Sequence, residues 1–167
     1  LKKRMSKNNI GDPATEGVRM GPLASFDQVK DVREQVEKLK ESAELVHGDL
    51  DNFEIIGADK EKGAFFPQVL LHCKDAFKNN DVHAIEAFGP VSTVMGYSSA
   101  EEAAVISRLG EGSLCASLFT EDDDVAKEIT LGMAPYHGRL MLINTWCAKE
   151  STGHGSPLPH LVHGGPG

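Results

Sequence analysis

The stretch VSTVMGYSSAEEAAVISRLGEGSLCASLFTEDDDVAKEITLGMAPYHGRLMLIN, residues 91–144, decides the fold. Val91 to Met95 is a short β-branched run and reads as a strand. Ser99 and Glu102 form a capping box that opens a helix, expected to run to about Arg108 and to stop at Gly110. Ser113 to Phe119 is again strand-like. Thr120 is expected to cap a helix whose first turn is acidic (Glu121 to Asp124) and whose apolar face carries Val125 and Ile129 as far as Gly132. Leu140 to Ile143 closes the series as a third strand. Strands that alternate with helices are joined by crossovers, which demands a mainly parallel sheet covered by helices. The short apolar runs suit strands covered on both faces. The class is therefore α/β, in a three-layer α/β/α arrangement.

Working outward, a helix is expected from Ser25. Ser25 and Gln28 make a second capping box, Asp27 sits in the first turn, and Phe26, Val29, Val32, Val36 and Leu39 recur at helical spacing as one apolar stripe. A turn-rich stretch follows, containing Gly48, Asp49, Asp51, Asn52 and Gly57. Residues 63–72 then read as a strand in which Pro67 pushes the first half towards an edge or bulge. Beyond Asn144 the texture changes to Gly, Pro, Ser and His, which is loop.

The bulk properties exclude several classes. At 167 residues, 40% of them hydrophobic, the chain is long enough to bury about 70% of its extended surface. Net charge is −8 with the basic residues scattered, so a nucleic acid partner would gain little from counterion release. No apolar run approaches the ~20 residues of a membrane span. Cys73, Cys115 and Cys147 are an odd, widely spaced set, which fits a reducing, cytoplasmic setting better than a disulfide framework. The chain starts at Leu1 rather than Met and stops on Gly-Gly-Pro-Gly, as a piece of a longer protein would.

A search for chemistry leaves few candidates. Gly110 to Cys115 and Gly153 to Leu158 each begin like a dinucleotide fingerprint but lack its third glycine and its strand-to-helix setting. Ser156 is not in a nucleophile elbow. The acidic run from Glu121 is explained by a helix start and lacks the alternation of a calcium loop. Cys147 with His154, His160 and His163 could in principle hold zinc, although their spacing fits no common finger. Cys73 and Cys115 fall within apolar strands and read as buried small hydrophobes. Cys147 lies at a strand exit with Lys149 nearby, but nothing in the sequence supplies it with a general base.

Glu86-Ala-Phe88-Gly89-Pro90-Val91 is the strongest motif in the chain. It resembles the E-x-F-G-P-V motif of the aldehyde dehydrogenase superfamily, which likewise stands before a strand. Other segments match in the family's order. Gly11-Asp-Pro13 with Met20-Gly-Pro-Leu23 is similar to the segment before a family helix. Residues 63–71 resemble the strand preceding the motif. Leu114 to Thr120 and Gly138 to Asn144 resemble two later strands. The resemblance thus makes residues 1–150 a partial aldehyde dehydrogenase catalytic domain and residues 151–167 a Gly/Pro/His-rich loop of the same domain. That ending departs from the usual family ending. It resembles the bifunctional ring-opening enzymes of phenylacetate degradation (the PaaZ type), in which the dehydrogenase is fused to a MaoC-like hydratase.

The resemblance implies oxidation of an aldehyde, in this subgroup a CoA-linked semialdehyde, with NADP or NAD as acceptor, in a full-length form that is a homo-oligomer. It assigns Glu86 to the nicotinamide-ribose hydroxyls and Phe88 to the nicotinamide ring. Asn144, Trp146, Cys147 and His163 fall on the acyl side, His163 standing where the family commonly has an aromatic. The family's nucleophilic cysteine and its glutamate base both precede the Gly11-Asp-Pro13 segment, so the chain is expected to be inactive alone. Two other readings of the residues stand beside this one: a non-catalytic α/β binding module, and a small Cys/His hydrolase or metal enzyme using Cys147.

Overall fold

A computed structural model describes residues 1–147. They are mixed α/β and divide into two compact units, residues 1–96 and residues 97 onward. No helix among them is long and apolar enough to cross a membrane.

The first unit begins with a single helical turn, α1 (Lys2–Met5), and two short parallel strands, β1 (Asn9–Ile10) and β2 (Val18–Met20). Helix α2 (Phe26–Ser42) follows and leads through an extended Ala43 directly into β3 (Glu44–His47). Next come β4 (Val69–Cys73), the one-turn helix α3 (Asp81–Ala84) and β5 (Val91–Met95). The sheet order is β3-β4-β5. β3 runs antiparallel to β4, and β5 runs parallel to it in unbroken register from Val69 opposite Val91 to Cys73 opposite Met95.

The core of this unit is the stripe on α2 packed over the central strand. Val32, Val36 and Leu39 are buried with Leu50, Phe66, Val69, Leu71 and Cys73. Full burial of each such side chain is worth about 1.5–3 kcal/mol. Val29 packs against the edge of the cluster. Phe26 departs from the expected stripe and is mostly exposed, because it occupies the first turn, ahead of the buried positions.

The expected strand over residues 63–72 starts six residues later than the sequence suggests. Residues 64–67 are buried but outside any strand, and Pro67 has no N–H to give to a ladder. The segment's polar groups are met elsewhere: the Leu23 amide donates to the Ala64 carbonyl and the Phe65 amide to that of Gly63. The antiparallel strand β3 lies in a stretch for which the sequence suggested no element.

The second unit contains α4 (Ala100–Arg108), β6 (Ser113–Phe119), α5 (Asp123–Met133), a 3₁₀ turn (Ala134–Tyr136) and β7 (His137–Ile143). β6 and β7 are parallel, from Ser113 opposite His137 to Phe119 opposite Ile143. The parallel crossover read from the sequence is therefore present between β6 and β7, whereas β5, read as the first strand of the same series, pairs with β4 in another sheet. Helix α4 begins at Ser99, whose hydroxyl accepts from the Glu102 amide, and ends at Arg108 as expected.

Two expectations need correction. The cap of α5 is Asp122, whose carboxylate accepts from the Asp124 and Val125 amides; Thr120 instead accepts from the Asp122 amide, one step earlier. A carboxylate at this position also meets the positive end of the helix, so it outcompetes the hydroxyl. Secondly, Cys115 is exposed, not buried. Continuous cover on both faces holds only for β4, whereas β5 and β6 alternate or nearly so between half-buried and exposed positions.

Substituting Leu71, which is 0% exposed, by Ala should cost about 2–5 kcal/mol in chemical denaturation. The same change at Leu114, which is 66% exposed, should stay within about 0.5 kcal/mol. Similar losses at both positions would contradict the assignment of the core.

His137 supplies a pH test. Its Nδ1 lies 2.6 Å from the Ser113 hydroxyl, and its Nε2 is buried with no partner among the described residues. Burial lowers its pKa below the ordinary 6.5. The folded-state value is then below the unfolded one, so stability is intact above pH 6.5 and declines as pH falls through that value towards the folded pKa. Denaturation midpoints measured from pH 8 to pH 5 should fall with acidification, and the slope should flatten in His137→Gln.

Candidate functional site

Residues 85–91 of the first unit form a ledge built by alternation. Ile85 leaves α3 in an extended conformation. Ile85 and Ala87 pack against the core, while Glu86 and Phe88 between them are exposed. In an extended segment successive side chains point to opposite sides, so anchoring one pair necessarily presents the other. Phe88 is 67% exposed, an unusual position for a phenyl ring. Glu86 forms no side-chain hydrogen bond or ion pair among the described residues, which leaves both carboxylate oxygens available as acceptors.

The backbone behind the ledge is tightly held. The Gly89 amide donates to the Ala87 carbonyl and the Val91 amide to the Gly89 carbonyl, each at 2.7 Å. The Pro90 carbonyl accepts from the Val69 amide at 2.9 Å, stitching the turn to the start of β4. Gly89 faces α2: a Cβ built there would lie 2.9 Å from both methyl groups of Val32. The glycine of the motif is thus required by the close approach of the helix. On the other side, the Gln28 side-chain amide donates to the Phe88 carbonyl at 2.6 Å.

In the second unit, Asn144, Trp146 and Cys147 occupy one turn after β7. The Asn144 side-chain oxygen accepts from the Cys147 amide at 3.0 Å, and the Cys147 sulfur accepts from the Asn144 amide at 3.3 Å. The thiol lies 3.7 Å from the carbonyls of Leu142 and Asn144. Trp146 is 84% exposed. Glu121 clamps this turn by accepting from the hydroxyl and the amide of Thr145, and these bonds hold its carboxyl below the usual range. The turn stands at the carboxyl end of a parallel pair, where open α/β sheets carry their sites.

The structure thus gathers Glu86 with Phe88 on one element, and Asn144 with Trp146 and Cys147 on another. His163 lies outside the described residues, as do His154 and His160, so the zinc reading is not addressed by the fold. The acidic run is used by α5 and by the Glu121–Thr145 clamp. Sequence reasoning missed the roles of Gln28 and Glu121. Both carried a local signal, a cap and an acidic first turn, which hid a partner distant in sequence.

The sequence profile of the aldehyde dehydrogenase family matches residues 1–153. The chain belongs to that family. It is 45% identical over 150 residues to protein MaoC of Klebsiella aerogenes, an overlap of 89% of this chain and 43% of that protein. Over 157 residues it is 39% identical to 3,4-dehydroadipyl-CoA semialdehyde dehydrogenase of Aromatoleum evansii, covering 94% of this chain and 30% of the relative. These relatives support the PaaZ-type relationship expected from residues 151–167. The chain spans less than half the length of either. The fold is shared with the NAD+ complex of betaine aldehyde dehydrogenase from Staphylococcus aureus, with a TM-score of 0.73 at 22% identity over 85% of this chain and 27% of that one.

Gly89→Ala should destabilise the chain by about 1–3 kcal/mol, because the added methyl collides with Val32. In a Val32→Ala background the same change should cost markedly less, and a double-mutant cycle by denaturation measures the difference. Equal costs in the two backgrounds would show that Val32 does not set the spacing.

Proposed function

We propose that this chain forms part of an NAD(P)-dependent aldehyde dehydrogenase that oxidises a CoA-linked semialdehyde to its acid in aromatic (phenylacetate) catabolism. The observation that carries this reading is the ledge, where a carboxylate unpaired among the described residues and an exposed phenyl ring are presented on a backbone anchored to the core. A nicotinamide cofactor has complementary groups in the same order, a vicinal ribose diol and a flat ring. Its chemistry, when bound, is to accept hydride.

Glu86 accepts hydrogen bonds from the diol, and a charged acceptor makes such bonds stronger than a neutral one would. Phe88 offers an apolar face to the ring. We assign Asn144, Trp146 and Cys147, with His163, to recognition of the acyl group of the aldehyde. The CoA link follows the name of the Aromatoleum evansii relative. We place the full protein in the cytoplasm, as a homo-oligomer.

None of the three cysteines is assigned as nucleophile. Cys73 is buried, Cys115 is exposed on the strand β6, and the Cys147 thiol rests against backbone carbonyls with no base beside it among the described residues. The 167 residues alone are therefore expected to oxidise no aldehyde. Turnover abolished by Cys147→Ala would replace this reading with that of a small cysteine enzyme.

The direct test is cofactor binding. In Glu86→Gln the dissociation constants for NAD and NADP, measured by calorimetric titration, should rise about tenfold, the worth of exchanging a charged for a neutral acceptor. Unchanged constants would exclude Glu86 from the cofactor site.

A further inference from the structure

We propose that Gln28 is the positioning residue of the Glu86–Phe88 ledge: its side-chain amide fixes the Phe88 carbonyl and so sets how the carboxylate and the ring are presented to a dinucleotide. The inference rests on the cofactor reading of the ledge given above.

Three hydrogen bonds define the Gln28 geometry. Its backbone amide donates to the Ser25 hydroxyl at 3.1 Å, which places it at the third position of α2. Its side-chain oxygen accepts from the Ala24 amide at 2.9 Å. Its side-chain nitrogen donates to the Phe88 carbonyl at 2.6 Å. One end of the side chain faces a donor and the other an acceptor, so only one orientation of the amide satisfies both. The side chain is a strut of fixed polarity between the helix start and a residue sixty positions away.

The turn leaves this bond to Gln28 alone. Gly89, Val91 and Val69 donate to the carbonyls of Ala87, Gly89 and Pro90, in that order, and skip that of Phe88. Among the described residues the Phe88 carbonyl has only the glutamine as partner. Rotation of the Phe88–Gly89 peptide is opposed by this bond, next to a glycine that has no room for a side chain against Val32. A freer peptide would let Phe88 and its neighbour Glu86 sample orientations that do not match one dinucleotide.

Gln28→Glu separates positioning from helix stability. The glutamate keeps an acceptor for the Ala24 amide and adds a negative charge where the start of α2 favours one. It loses the donor and turns a carboxylate towards the Phe88 carbonyl. Thermal unfolding of Gln28→Glu should be lowered less than that of Gln28→Ala, which loses both bonds and gains no charge at the helix start. Amide exchange over residues 86–91 should quicken about fivefold in Gln28→Glu, the worth of one typical hydrogen bond, with exchange in the body of α2 unaltered. Dissociation constants for NAD and NADP should rise by a similar factor.

Parent-like exchange over residues 86–91 in Gln28→Glu overturns the proposal. So does parent-like cofactor binding in Gln28→Glu when Glu86→Gln binds more weakly. If Glu86→Gln binds like the parent, the cofactor reading fails and takes the proposed purpose of the strut with it. The exchange rates would still show whether Gln28 holds the turn.

Discussion

Helix α2 lies against the β3-β4-β5 sheet through Val32, Val36 and Leu39, and beside this packing Val32 leaves no room for a side chain at Gly89. The apolar stripe supplies the attraction, and the absent side chain at Gly89 sets how near the helix can come. This spacing brings the start of α2 within reach of the 85–91 turn and allows Gln28 to bond the Phe88 carbonyl. The same core accepts Ile85 and Ala87, so exposure of Glu86 and Phe88 is a geometric consequence of burying their neighbours. The ledge is therefore a product of helix packing.

The two long amphipathic helices with capping boxes share a detail that bears on this. In α2 the third-position glutamine reaches back to the Ala24 amide, and in α4 the third-position Glu102 reaches back to the Ser98 amide and hydroxyl. In each case the reciprocal bond goes to the residue before the cap. Glu102 is held below the usual carboxylate range by these Ser98 bonds. It carries one function, capping. Gln28 has a second polar group to spare, and this is what lets it serve a tertiary contact as well. By comparison, exposed ion pairs such as Lys40 with Glu37 or Lys78 with Asp75 are screened by solvent and position nothing remote.

The ledge and the Asn144–Cys147 turn are built differently. The ledge depends on burial of alternate residues, whereas the turn after β7 depends on polar bonds: Asn144 to Cys147 within it, and Glu121 to Thr145 from the loop before α5. A carboxylate placed in an acidic helix start is thereby used to hold a loop. That makes the first two residues of the acidic run structural, Glu121 as the clamp on Thr145 and Asp122 as the cap of α5.

The sequence by itself determined the α/β class, the parallel β6–β7 pair, the starts of α2 and α4 at Ser25 and Ser99, and the motif that marks Glu86 and Phe88. Each of these is encoded locally, by apolar spacing, capping chemistry or a contiguous hexapeptide. Tertiary structure alone decided that residues 64–67 stay out of the ladder, that Ala43 passes straight from helix to antiparallel strand β3, and that Cys115 and Phe26 are exposed. Asp122 rather than Thr120 caps α5 because its carboxylate meets the positive end of the helix, a choice that two adequate caps two positions apart hid from local reading. The tie from Gln28 to Phe88 belongs to this second group. It joins residues sixty positions apart, and no local periodicity or spacing reports a hydrogen bond that exists only once α2 has closed over Gly89.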